Sequence, residues 1–217
     1  MILGAALLAA GVASSMAQSN VYSLNVVGYV TVPFTNGITA FANPLDFDGT
    51  GTNNTIVGVF SNSLPANSTV YIWSGGGFNS SLIYSARGGW TGNAPLNPGE
   101  GVFVSCPSAT NVTVVGQVLQ GTLTNAYITT GFSLLGSVIP VQNTIDSTGN
   151  GGLQYVPTGN DTVYFWDPVG QGWNTSTIYA ARSSSWTAGS PVFVPGTSYF
   201  LSTSNPNPTW VTTFTVQ

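Results

Sequence analysis

Beyond Ala17 the chain alternates. Short runs of Val, Thr, Tyr, Phe and Ile place an apolar residue at about every second position, and clusters of Gly, Pro and Asn break them. A period of two marks a half-buried strand, whereas a helical stripe returns every three or four residues. The pattern predicts strands at Tyr22–Val32, Ile38–Ala42, Ile56–Phe60, Thr69–Trp73, Ser81–Ala86, Gly101–Ser105 and Val112–Val118. It continues with Thr122–Ile128, Phe132–Ser137, Thr162–Trp166, Thr177–Ala181, Ser198–Ser202 and Trp210–Val216. Turn signals at this spacing belong to an all-β sandwich or barrel.

The pattern also repeats. Val70-Tyr71-Ile72-Trp73 returns as Val163-Tyr164-Phe165-Trp166, and Ile83-Tyr84-Ser85-Ala86-Arg87 as Ile178-Tyr179-Ala180-Ala181-Arg182. Trp90-Thr91 returns as Trp186-Thr187, and Pro98-Gly99 as Pro195-Gly196. The expected organisation is two tandem, similar antiparallel β-sandwich or barrel-like units, 18–118 and 119–217, after a cleavable signal segment at 1–17. Val26-Val27-Gly28-Tyr29-Val30 is echoed by Val114-Val115-Gly116-Gln117-Val118. One middle strand is therefore expected to close the first unit and begin the second.

The opening run Val21-Tyr22-Ser23-Leu24-Asn25-Val26-Val27-Gly28-Tyr29-Val30 is the most distinctive motif. Together with Asn43-Pro44-Leu45, Val70-Tyr71-Ile72-Trp73 and Pro98-Gly99-Glu100-Gly101-Val102-Phe103-Val104, it resembles a group of exported, uncharacterised β-rich repeat proteins of verrucomicrobial-type bacteria. The resemblance implies export and a β fold. It implies no catalytic residues.

Composition narrows the function. Hydrophobic residues make up 42% of the chain but charged ones only 4%, against about 25% in ordinary soluble domains. There is no His and no Lys; Arg87 and Arg182 face six acids, for a net charge of −4. Two cations cannot neutralise a phosphate track, so nucleic acid is not an expected partner. Ile2–Val12 is an apolar run, and Ser15-Met16-Ala17 offers small residues for cleavage before Gln18, so secretion to the exterior or cell surface is expected. No later segment reads as a membrane span. Cys106 is the only cysteine, so no internal disulfide can form; a half-buried free thiol is expected.

Chemistry finds little material. Without His or Lys there is no Ser-His-Asp, Ser-Lys or Schiff-base arrangement, and no enzyme or cofactor is expected. Asp46-Phe47-Asp48-Gly49-Thr50-Gly51 looks like a fragment of a calcium loop but lacks the closing acids of an EF-hand. Asp46 and Asp48 are thus weak calcium candidates beside the plainer reading of a polar turn. Trp173 and Trp210 are the candidate sugar-stacking residues; Trp210 is singled out because its aligned position, near Thr113, carries no aromatic. Arg87 and Arg182, the same position twice, are expected to anchor their loops by hydrogen bonds.

Two functions compete. The first expectation is a secreted structural protein, a filament or sheath subunit, that forms homo-oligomers or polymers by β-strand addition. Val26, Val27, Tyr29 and Val30 at one end and Phe214 and Val216 at the other would form the assembly strands, which carry no Lys to block edge pairing. The second is an extracellular carbohydrate-binding or adhesive module with polysaccharide as partner, which requires solvent-facing aromatics.

Overall fold

The computed structural model describes residues 26–125, 130–205 and 210–217. The signal segment, residues Val21–Asn25 of the opening motif and the second half of the strand expected at Thr122–Ile128 lie outside them. The chain is all-β with antiparallel pairing throughout. The first half holds β1 (Val27–Phe34), β2 (Gly37–Ala42), helix α1 (Ile56–Phe60), β3 (Thr69–Trp73), β4 (Phe78–Ser85), β5 (Gly89–Trp90), β6 (Gly101–Cys106) and β7 (Thr110–Gln117). The second holds β8 (Gly121–Thr124), β9 (Gly131–Leu135), β10 (Asn143–Thr144), β11 (Thr162–Tyr164), β12 (Trp166–Asp167) and β13 (Gly172–Trp173). It ends with β14 (Thr177–Ala180), β15 (Ser185–Trp186), β16 (Val192–Phe193), β17 (Tyr199–Thr203) and β18 (Val211–Phe214).

Two five-stranded sheets dominate, in the orders β2-β6-β3-β4-β5 and β9-β17-β11-β14-β15. Aligned by the repeated residues, these orders correspond strand for strand. Four pairs stand apart: β1 with β7, in register from Val27 opposite Gln117 to Phe34 opposite Thr110, β8 with β18, and the short pairs β10 with β16 and β12 with β13. The middle strand expected at Val112–Val118 is β7, which pairs with β1 of the first half, while the separate strand β8 pairs with β18 of the second.

Ile56–Phe60 corrects the strand expected there. Thr55 caps a helical turn, its Oγ1 accepting the Gly58 N–H at 3.1 Å. Ile56, Val59 and Phe60 are buried, a spacing of three and four that only a helix puts on one face. The β-branched content argued for a strand, but the cap and the spacing win.

One buried cluster draws on both halves: Phe34, Phe41, Phe60 and Val104 from the first, Leu135, Val163, Phe193 and Leu201 from the second. The halves also join by reciprocal backbone contacts. Phe41 bridges Thr197 while Leu135 bridges Glu100. The Ala42 N–H donates to the Gly196 carbonyl at 3.2 Å, and the Gly136 N–H to the Gly99 carbonyl at 2.9 Å. The approach is close enough that a Cβ on Gly136 would lie 2.4 Å from that of Ala42. No helix among the described residues is long and apolar enough to cross a membrane.

Candidate functional site: an open aromatic groove

Strand alternation sorts aromatics onto two faces. In β6, Val102 and Val104 enter the main core and Phe103 points the other way; in β17, Tyr199 and Leu201 enter it and Phe200 points away. Tyr71, Trp73, Tyr164 and Trp166 gather on the same side, around Ala40, Phe103, Leu134 and Phe200. This second cluster lies between the halves. Two matching bonds fix it: the Trp73 indole N–H donates to the Phe132 carbonyl at 3.0 Å, and the Trp166 indole N–H to the Ile38 carbonyl at 2.9 Å.

The cluster opens to solvent on one side as a groove of about 690 Å³. Trp73, Phe78, Phe132, Tyr164, Trp173 and Phe200 line it, and Asn174, Thr175 and Ser176 complete the lining. Trp173 is 49% exposed, Phe132 43% and Phe78 41%. Their ring centroids lie close to Phe200: Trp73 at 4.8 Å, Trp173 at 5.5 Å and Phe132 at 6.1 Å. No lining residue is charged. Beside it is a second cleft of about 490 Å³, whose lining shares Trp73 and Phe132 and includes Glu100. The Glu100 carboxylate is held by the Asn97 backbone N–H at 2.7 Å and by its side-chain amide at 3.1 Å. The groove offers apolar ring faces, hydroxyls and an amide, which suits binding a neutral ligand with flat apolar faces and hydroxyl edges.

The residues singled out by sequence separate here. Trp173 is on the groove. Trp210 is not: it is 2% exposed and its indole N–H donates to the Leu153 carbonyl, because the loop through Leu153 and Tyr155 packs over it. Arg87 and Arg182 occupy the corresponding turns between β4 and β5 and between β14 and β15. Both are exposed and neither makes a hydrogen bond or ion pair among the described residues, so they do not anchor those loops. The loop geometry is held instead by tight backbone turns and by the neighbouring Trp90, whose indole N–H donates to the Ser61 carbonyl at 2.7 Å, and Trp186.

Val26, just before β1, and Val30 on it pack against the core, while Val27 and Tyr29 are 71% and 78% exposed. At the other end Phe214 is buried and Val216 lies just past β18, its N–H donating to Gln120 Oε1 at 2.9 Å. Asp46 is buried and accepts from the Gly51 N–H and from Asn54 Nδ2 at 2.9 Å. Asp48 accepts from the Thr50 N–H at 3.0 Å, and that bond, followed by the Thr50 hydroxyl, lowers its pKa. Cys106 is fully buried rather than half-buried; burial raises its pKa, and Ser68 Oγ donates to its sulfur at 3.5 Å.

Sequence reasoning missed the groove's other walls. Phe78 and Trp173 share an aligned position, and aromatics kept in both halves read as core. Phe132 carried no signal beyond opening a strand. The chain matches no protein-family model, no curated protein and no solved structure.

Proposed function

We propose that this chain is an exported, non-catalytic carbohydrate-binding module, and that the aromatic groove holds a neutral saccharide. The observation that carries the reading is Trp173, half exposed on an uncharged groove beside Phe78 and Phe132. A pyranose presents an apolar face of C–H groups for such rings and hydroxyls for Asn174, Thr175 and Ser176. Large aromatics left in water are otherwise costly, and open patches of them mark binding sites. Export is supported by the apolar leader at Ile2–Val12 and the small-residue site before Gln18.

The test is retardation of the full chain on gels of neutral polysaccharides, run against Trp173→Ala. The expected result is retention of the parent and a loss of about tenfold in affinity in the variant, roughly 1–1.5 kcal/mol for one stacking ring. Absence of retention on every neutral gel overturns the reading.

A second reading, a self-assembling structural subunit, rests on β1. Its one strand partner among the described residues is β7, so its outer edge has no ladder. Val27 and Tyr29 stand exposed on it next to Val115. An edge with apolar side chains and no Lys is suited to pairing with another copy.

A further inference from the structure

One half of the molecule fills a slot that the other half leaves open. Residues 168–171 fold back onto the start of β2. Thr35 Oγ1 donates to the Pro168 carbonyl at 2.9 Å. The Gln171 carboxamide brackets Ile38: Oε1 accepts from its N–H at 2.7 Å, and Nε2 donates to its carbonyl at 3.0 Å. The same carboxamide lies over Gly37, where a Cβ would come within 2.5 Å of its oxygen.

The counterpart of Gly37-Ile38 is Gly131-Phe132. Gly37 pairs with Cys106 and Ile38 with Ser105; Gly131 pairs with Thr203 and Phe132 with Ser202. The indole bonds correspond as well, Trp166 to Ile38 and Trp73 to Phe132. The loop does not correspond. It is Ser74-Gly75-Gly76-Gly77, with no long side chain to reach the strand. A Cβ on Gly131 would meet nothing within 4 Å.

Alternation tells where the Phe132 N–H points. Residues of an antiparallel strand turn both backbone groups to one side, then to the other. Gly136 donates outward, to the Gly99 carbonyl, so Leu134 and Phe132 face outward too. The Phe132 carbonyl agrees, since it takes the Trp73 indole N–H from that side. Further along, the outer edge is already occupied: Leu135 bridges Glu100. Among the described residues only one outward residue of β9 remains, too little for an added strand, which engages alternate residues along an edge. Phe132 also lines both clefts.

Resting on the carbohydrate reading, we propose that this edge selects an N-acetylated hexosamine. The acetamido oxygen accepts the Phe132 N–H as Gln171 Oε1 accepts that of Ile38. A secondary amide holds its own N–H on the opposite side from its oxygen, so the neighbouring ring hydroxyl takes the part of Gln171 Nε2 and donates to the Phe132 carbonyl. That carbonyl has a second lone pair beside the indole bond, as the Ile38 carbonyl already uses both. The acetyl methyl lies over Gly131, and the ring meets the aromatic wall. An N–H that a bound ring covers and leaves without an acceptor penalises a sugar that lacks the acetamido group.

Calorimetric titration of the full chain with the β-1,4-linked trimer of N-acetylglucosamine and with the matching glucose trimer tests this. Both probes are neutral, so the net charge of −4 does not bias them. The acetylated trimer is expected to bind at least about tenfold tighter. Gly76→Gln, which stands two residues before Phe78 as Gln171 stands two before Trp173, is expected to abolish that preference while sparing the glucose trimer. Its thermal midpoint checks the fold, and a Cβ at Gly76 meets nothing within 4 Å. Equal binding of the two trimers overturns the slot and leaves the groove reading standing; no binding of either overturns the slot, and retention on the neutral gels then decides the groove reading. A preference that survives in a folded Gly76→Gln chain shows that the acetamido group is read elsewhere and overturns the assignment to Phe132.

Discussion

Asp161 is a buried carboxylate with every bond accounted for. Its Oδ2 accepts from the Tyr155 hydroxyl at 2.6 Å and the Thr158 N–H at 2.7 Å, and its Oδ1 from the Thr158 hydroxyl at 3.0 Å. The corresponding residue is Ser68, which closes on the Pro65 carbonyl at 2.7 Å and on Cys106. The same turn is thus tied by a carboxylate and a phenol in one half and by a hydroxyl and a thiol in the other. Burial, and then Asp161, push the Tyr155 phenol above its ordinary value of 10.0. The sign follows: the folded state holds this proton more tightly than the unfolded chain, so the stabilisation is complete below about pH 10 and is lost as pH rises beyond it. Tyr199, raised by burial, acts in the same direction. Tyr155→Phe is expected to cost about 1.5–3 kcal/mol at pH 7, because a buried carboxylate loses a donor, and to flatten the decline above pH 10. Urea unfolding from pH 7 to 11 measures both, and an unchanged alkaline slope would show that Tyr155 does not carry it. None of this was legible. An aspartate before an alternating strand reads as a turn residue, and only the fold puts Tyr155 against it. Trp210 failed for a related reason: the loop that buries it has no close counterpart in the first half, so the repeat was no guide.

At the scale of elements, alternation located most long strands to within a residue or two, since burial on one face enforces the period. It failed where the strand is only two residues long, as at β10, β12 and β16, too short to show a period. It also failed at α1, where a capping Thr and three buried residues outweigh β-branched content. The N-terminal strand was legible as a strand in need of partners on two counts, its Val face and its edge. The structure answers the first: Val30 and Val32 pack inward, and β7 pairs along one side. The other edge separates the two functional readings. Val27→Lys and Tyr29→Lys alter exposed side chains only, so each is expected to change stability by less than about 0.5 kcal/mol. If β1 pairs between copies, the parent chain grows with concentration in sedimentation velocity and the double lysine variant stays monomeric, since edge lysines block strand addition. A parent that remains monomeric at every concentration sinks the assembly reading and leaves the groove untouched.

For the whole molecule, the repeat and the contacts between halves carry different information. Returning residues such as Tyr71 and Tyr164, or Trp73 and Trp166, reveal which positions correspond. They do not reveal that each tryptophan bonds the opposite half, because correspondence within a chain says nothing of how its parts meet. Those crossed bonds, the bridges at Phe41 and Leu135, and a core shared by Phe41 and Leu135 bind the stability of each half to the other. Cut at 118, the first half would expose Phe103 and Trp73 and leave the β2 edge unpaired, a surface suited to aggregation rather than folding. Calorimetry of the full chain is therefore expected to show one cooperative transition. Trp166→Ala, about 2 kcal/mol for a half-buried ring, should lower the midpoint of that whole transition by roughly 4–8 °C rather than split off the second half. Residues 18–118 produced alone should lack a cooperative melt until 119–217 is added. A separate, reversible melt of 18–118 by itself would mean that the crossed contacts are incidental and that each half carries its own fold.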